Sequence, residues 1–166
     1  MKKKQIHKES RKREQAVAKE MEGKRHAGSG SVWWSKGDVS NAEFLIEDKF
    51  TVGISYVLSS KVLNKLEQQA SAVNKLPVLR FGFYTGKDFA VLRAQDCVYG
   101  NNVELTQSFT QSHRFYLQDL THYFLYAKCD YMHITFANKK YVKYYYIIEW
   151  ERFLEIKEKI SKGAKI

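Results

Sequence analysis

The sequence predicts an α/β protein, a β-sheet with helices packed on it. Apolar runs rich in β-branched and aromatic residues at 43–51, 77–84, 89–93 and 140–148 have the length and composition of strands. Segments 10–22, 59–74 and 150–160 space their apolar residues as helices do. A chain of 166 residues, 44% hydrophobic, can build one core without disulfide or metal staples.

Residues 1–9 read as a basic arm, flexible until it meets a polyanion. The helix SRKREQAVAKEME follows, with Gly23 just past its C-terminus. Its apolar stripe is Val17, Ala18 and Met21, and Glu14 lies on that stripe whereas Glu9 and Glu20 do not. Burying a lone carboxylate is costly unless it is paired or metal-bound, so Glu14 calls for a partner. The alternative is an exposed Glu14 at the helix margin, paired with Arg11 or Arg13. The GSGS run at 28–31 can turn sharply, and its amides and hydroxyls can meet phosphate oxygens. Trp33 and Trp34 are expected to divide between core and surface.

After the strand at 43–51, TVGISYV predicts a further strand with a bend near Gly53. Ser59 or Ser60 should cap a helix reaching about Asn74, with Val62, Leu63, Leu66, Ala70 and Val73 turned to the sheet. Strands at 77–84 and 89–93 are joined by a turn at Thr85–Lys87. Residues 96–107 read as loop, 112–130 as an aromatic, helix-like segment and 131–136 as a strand, before the final strand and helix. His113, His122, Cys129 and His133 match no common zinc-finger spacing and are expected to pack. Cys97 and Cys129 form no motif and suit a reducing cytoplasm.

The net charge of +10 is uneven. Residues 1–25 carry ten Lys and Arg against four Glu, 139–166 carry eight against four, and the middle balances at ten of each sign. A neutral body with basic ends suits a polyanion laid across it. The basic start lacks an apolar core, so it is not expected to be a secretory signal, and no run of about 18 apolar residues could span a membrane.

Asp38 is followed nine residues later by Glu47-Asp48-Lys49. On a strand, Glu47 and Lys49 share one face and Asp48 takes the other. Two carboxylates and an ammonium at one strand end suit magnesium-assisted cleavage of a phosphodiester, with hard oxygen ligands on the cation and the amine offsetting developing charge.

This spacing resembles the PD-(D/E)xK nuclease superfamily. Residues 24–31 (KRHAGSGS), 36–39 (KGDV) and 44–51 (FLIEDKFT) are similar to the core of archaeal-type and phage Holliday junction resolvases, with Gly37 in place of the usual proline. The resemblance covers roughly residues 10–95. It implies a restriction-endonuclease-like core at 10–95, with a central mixed β-sheet flanked by helices, an aromatic-rich insertion at 96–138, and a closing strand and helix at 139–166. It further implies Asp38, Glu47 and Glu14 as ligands for Mg²⁺ (Mn²⁺ substituting), Lys49 as the fourth catalytic group, and DNA contacts from Arg25, Ser29, Gly30, Ser31, Lys36, Thr51, Lys61 and Lys65. The expected partner is branched DNA, the expected assembly a homodimer through 112–136, and the expected setting the cytoplasm of a bacterial or phage-infected cell. The alternatives are a restriction or repair endonuclease on duplex DNA, and a non-catalytic nucleic-acid-binding protein with a relic nuclease core.

Overall fold

The computed structural model describes residues 3–26, 37–97, 106–126, 130–139 and 141–164. The GSGS run, Trp33, Trp34, Lys36 and Cys129 lie outside them.

Helix α1 (Lys3–Glu20) begins well before Ser10, so the segment expected to be flexible forms its first turns. That segment is free of glycine and proline and rich in strong helix formers, which favours continuation. At its other end Glu22, not Gly23, takes the left-handed conformation (φ 50°). The Gly23 amide then donates to Ala18 O at 2.8 Å, closing the helix.

Two short strands, β1 (Lys24–Arg25) and β2 (Val39–Ser40), lead into β3 (Phe44–Thr51). A bend at 52–54 turns the chain out of the main sheet into β4 (Ser55–Ser59). Ser59 caps α2 (Ser60–Ser71) by accepting the Val62 amide at 3.4 Å. Leu63, Leu66 and Ala70 are buried on the sheet as expected, but the helix stops at Ser71, leaving Val73 45% exposed. Strands β5 (Leu76–Phe83) and β6 (Asp88–Arg93) follow, then β7 (Thr106–Phe109), β8 (Ser112–Tyr116), α3 (Leu117–Tyr126), β9 (Met132–Ala137), β10 (Val142–Glu149) and α4 (Trp150–Ser161).

The main sheet has eight strands in the order β1-β2-β3-β5-β6-β10-β9-β7, with β3–β5 and β7–β9 parallel and the other pairs antiparallel. It is a mixed sheet flanked by helices, the predicted class. The region 96–138 is woven into it: β9 and β7 extend the sheet, and β8 pairs with β4 in a separate two-stranded sheet. Two of these strands replace parts of the expected loop and helix, because pairing with β4 and β9 overrides a weak local pattern.

Alternation along β3 divides the core. Leu45, Leu79 and Phe81 face α2 and α3, joining Leu63, Leu66, Phe115 and Leu120. Phe44, Ile46 and Val78 face α1 and α4, joining Val17, Met21, Phe153 and Ile156. His113 packs on Phe109 (3.9 Å between centroids), His122 on Tyr126 and His133 on Tyr144. Leu125 and Tyr126 remain 68% and 71% exposed.

Gly82 makes room on the α1 side. A Cβ there would stand 1.8 Å from Asp88 Oδ1 and 2.1 Å from Arg13 Nη2, inside an ion pair. Gly82→Ala is therefore expected to cost about 1–3 kcal/mol, read as a lower urea midpoint with unchanged slope. An unshifted midpoint would mean the pair can move aside freely.

Candidate active site

Three backbone facts place Asp38. The β2–β3 ladder pairs Val39 with Ile46, and Asp38 stands just before it, at the N-terminal end of β2. The Asp38 amide donates to Ile46 O at 2.9 Å, and its carboxylate Oδ2 accepts the Asp48 amide at 2.8 Å. Gly37, at φ 71°, allows the chain to enter this corner with Leu45 packed against it; a Cβ would fall 2.7 Å from Leu45 Cδ1.

Glu47 and Lys49 share the α2 side of β3, and Lys49 Nζ donates to Glu47 Oε1 at 2.5 Å. Burial works against the Lys49 charge. The Glu47 hydrogen bond and the charges of Glu47, Asp38 and Asp48 outweigh it and raise its pKa, so the amine is a fixed cation at neutral pH. Tyr56 stacks on Phe81 (4.7 Å between centroids, 11° between planes) beside this pair, its phenol raised by burial and by Glu47 and Asp48.

His26 stands beside Asp38. Its amide donates to Asp38 O at 2.8 Å, and its Nε2 lies 2.8 Å from Ser40 Oγ. Burial and then Lys75 lower its pKa, against the pull of Asp38. The sequence motif contained this histidine without assigning it a role.

Glu14 departs from the three-acid set. It does lie on the buried stripe of α1, but that stripe packs with Val39 and Ile46 on the opposite face of the sheet from Glu47. Its carboxylate accepts from Arg25 Nε at 2.7 Å and from Ser10 Oγ at 3.4 Å. Among the described residues, no three His, Cys, Asp or Glu stand close enough to share a metal ion. Asp38 and Glu47 are what remains of the expected set on one side of β3: the Asp38 carboxylate is held by the Asp48 amide and its charge, like that of Glu47, acts on Lys49. Hard carboxylate oxygens are the donor type that suits Mg²⁺.

Of the expected DNA contacts, Arg25 is occupied by Glu14 and Thr51 is half-buried, its Oγ1 accepting the Gly53 amide at 3.1 Å. Lys61 and Lys65 are exposed on α2. Ser29, Gly30, Ser31 and Lys36 lie outside the described residues.

Sequence reasoning missed what lies beneath β3. Asp48, Arg80 and Asp88 are 7%, 5% and 8% exposed, and Arg13 joins them from α1. Arg80 Nη1 meets Asp48 Oδ1 at 3.1 Å, Arg80 Nη2 binds Asp88 Oδ2, and Arg13 Nη2 meets Asp88 Oδ1 at 2.8 Å. Burial pushes the Asp48 carboxyl up to about 6, against Arg80 and Arg13. Arg80 inside the apolar run at 77–84, and Asp88 immediately before the run at 89–93, were the available signal, since buried ions occur paired. Cys97, buried, has its thiol pushed up to about 12 by burial and by Asp96, against Arg93, and is no nucleophile.

No family model matches the chain, and no curated protein does. Among solved structures, the chain is similar to Hjc of Archaeoglobus fulgidus, a Holliday junction resolvase from an archaeal hyperthermophile. The identity is 19% and the TM-score 0.41, over 51% of this chain and 76% of that one. No helix among the described residues is long and apolar enough to cross a membrane.

Proposed function

We propose that this chain is a divalent-metal-dependent DNA endonuclease that cuts branched DNA, with the four-way Holliday junction as substrate and a homodimer as the working unit. What supports this most is the convergence of charge at Lys49: its ammonium bonds Glu47, and Asp38, held by the Asp48 amide, acts on it as well. It gives physical form to the motif resemblance.

Asp38 and Glu47 would hold Mg²⁺, or Mn²⁺ in its place. Bound there, the cation supplies a water of lowered pKa and a counter-charge for a phosphate oxygen. Asp38 is fixed for that task by the Asp48 amide. Lys49 orients the attacking oxygen and offsets the charge that builds on phosphorus. Glu47 holds that ammonium in place.

Backbone grip without base reading suits a substrate recognised by shape. Lys61 and Lys65 on α2, with Lys8, Arg11 and Lys12 exposed or half-exposed on α1, supply such contacts. Deleting residues 2–8 removes four lysines. For every phosphate these lysines neutralise, the deletion should reduce the slope of log affinity against log salt by about 0.9 on duplex arms. A salt titration with an unchanged slope would exclude this arm from the DNA-binding surface.

Symmetric cutting of a junction needs two active sites, hence a C2 dimer. The open groove of about 590 Å³ lined by Ile54, Tyr116, Leu117, His122, Leu125 and Tyr126 lies within or beside the segment assigned to that interface. The deciding assay compares synthetic four-way junctions with linear duplex of the same sequence in Mg²⁺. Paired nicks in junction arms are expected. Equal cutting of linear duplex would favour a restriction or repair enzyme. No cutting of either, with binding unchanged in Asp38→Ala, would leave a non-catalytic DNA-binding protein.

A further inference from the structure

We propose that Arg13 and Arg80 are positioning residues for the candidate active site. They clamp the Asp48 side chain beneath β3, and through the Asp48 amide they hold the Asp38 carboxylate against the strand that carries Glu47. The inference rests on Asp38 and Glu47 being the cation-holding pair.

Asp48 sits between the two site residues of β3 but points to the opposite face, its side chain 1% exposed. There it is the meeting point of four alternating charges drawn from four elements: Arg13 of α1, Asp48 of β3, Arg80 of β5 and Asp88 of β6. Aromatic rings back both cations. The Arg80 guanidinium carbon lies 4.8 Å from the centroid of Trp150, and that of Arg13 lies 4.8 Å from the centroid of Phe50.

The cluster is poorly built for stability alone. Arg13 Nε approaches Asp48 Oδ2 at 3.4 Å without a hydrogen bond, and Arg80 Nε has none either. Apolar side chains of similar volume would stabilise the core as well or better. What charges add is directionality: three of the four carboxylate oxygens each accept from one guanidinium and Asp48 Oδ2 faces Arg13 Nε at 3.4 Å, which resists sliding or rolling of β3 at residue 48. A slip of one residue would carry Glu47 and Lys49 to the wrong face of the sheet. The residue so fixed is the one whose amide donates to Asp38 Oδ2 at 2.8 Å. Arg13 also belongs to the helix whose outer side carries Lys8, Arg11 and Lys12, so the same clamp ties a phosphate-gripping helix to the catalytic strand.

The test uses the full chain in two forms. Arg13→Gln leaves two buried carboxylates against one arginine. The double variant Arg13→Gln with Asp48→Asn leaves Arg80 and Asp88 matched and is expected to melt closer to wild type. Hydrogen exchange followed by NMR should show the residue-48 amide losing protection in the double variant by about tenfold or more, while amides of β9 and β10 keep theirs. Affinity for Mn²⁺ alone, by calorimetry, should fall about 10- to 100-fold, as when outer groups that orient a ligand are removed. If exchange at residue 48 and Mn²⁺ affinity both return to wild type along with the melting temperature, the cluster only stabilises the fold and the proposal is overturned. Failure of the wild-type chain to bind Mn²⁺ would instead remove the active-site reading, and the exchange data would still decide the clamp.

Discussion

Alanine at Glu47 is expected to slow cleavage of a four-way junction by at least about 10²–10³-fold, the loss seen when one group serving the developing charge is removed. Junction affinity should change little, because phosphate contacts elsewhere carry it. The substitution removes one of the two proposed cation ligands and the partner that holds Lys49 Nζ at 2.5 Å. Lys49→Ala should act in the same direction for a different reason, since it takes away the fixed cation and leaves both acids. Single-turnover rates beside binding isotherms separate the effects. A variant that bound junctions weakly but cut each bound one at the wild-type rate would contradict both roles.

Arg80→Met is expected to be the most destabilising single change, costing about 3–5 kcal/mol, because it leaves buried carboxylates without their main partner. At about 2–4 °C per kcal/mol for a chain of this size, the melting temperature should drop by roughly 10 °C. Arg80 contacts both Asp48 and Asp88 and lies over Trp150, so three elements lose an anchor together. The loss should shrink on acidification. The Asp48 carboxyl is raised from 3.8 to about 6 by burial, so between those values the folded chain takes up a proton that the unfolded chain does not. Protonated Asp48 needs no arginine, so the difference between variant and wild type should be smaller at pH 5 than at pH 7. A pH-independent difference would show that Arg80 acts through packing rather than charge.

How much was legible depended on whether the deciding contact was local. Glu47 and Lys49 on one face follow from the two-residue repeat of a strand, and Ser59 as a cap from its place before an amphipathic run. The place of Asp38 beside β3, its carboxylate on the Asp48 amide, could be suspected but not read, because β2 is two residues long and has no periodicity of its own. Glu14 shows the limit more sharply. The helical repeat correctly put it on the inward stripe, yet no repeat says which face of a sheet that stripe will cover. The stripe packs on Val39 and Ile46, and Arg25 on the neighbouring β1 takes the carboxylate. In the region 96–138, β7 and β8 are short and polar, and they exist because β9 and β4 offer edges to pair with. Arg80 and Asp88 drew no notice in the sequence, because their pairing depends on Arg13 and Asp48, which are distant in the chain.

The most direct measurement is anomalous diffraction from crystals of the full chain soaked in Mn²⁺. A peak between the Asp38 and Glu47 carboxylates, absent from Glu47→Ala crystals, is the expected result. A protein that cleaves junctions in Mn²⁺ while its crystals place the metal elsewhere, away from both carboxylates, would contradict the assignment.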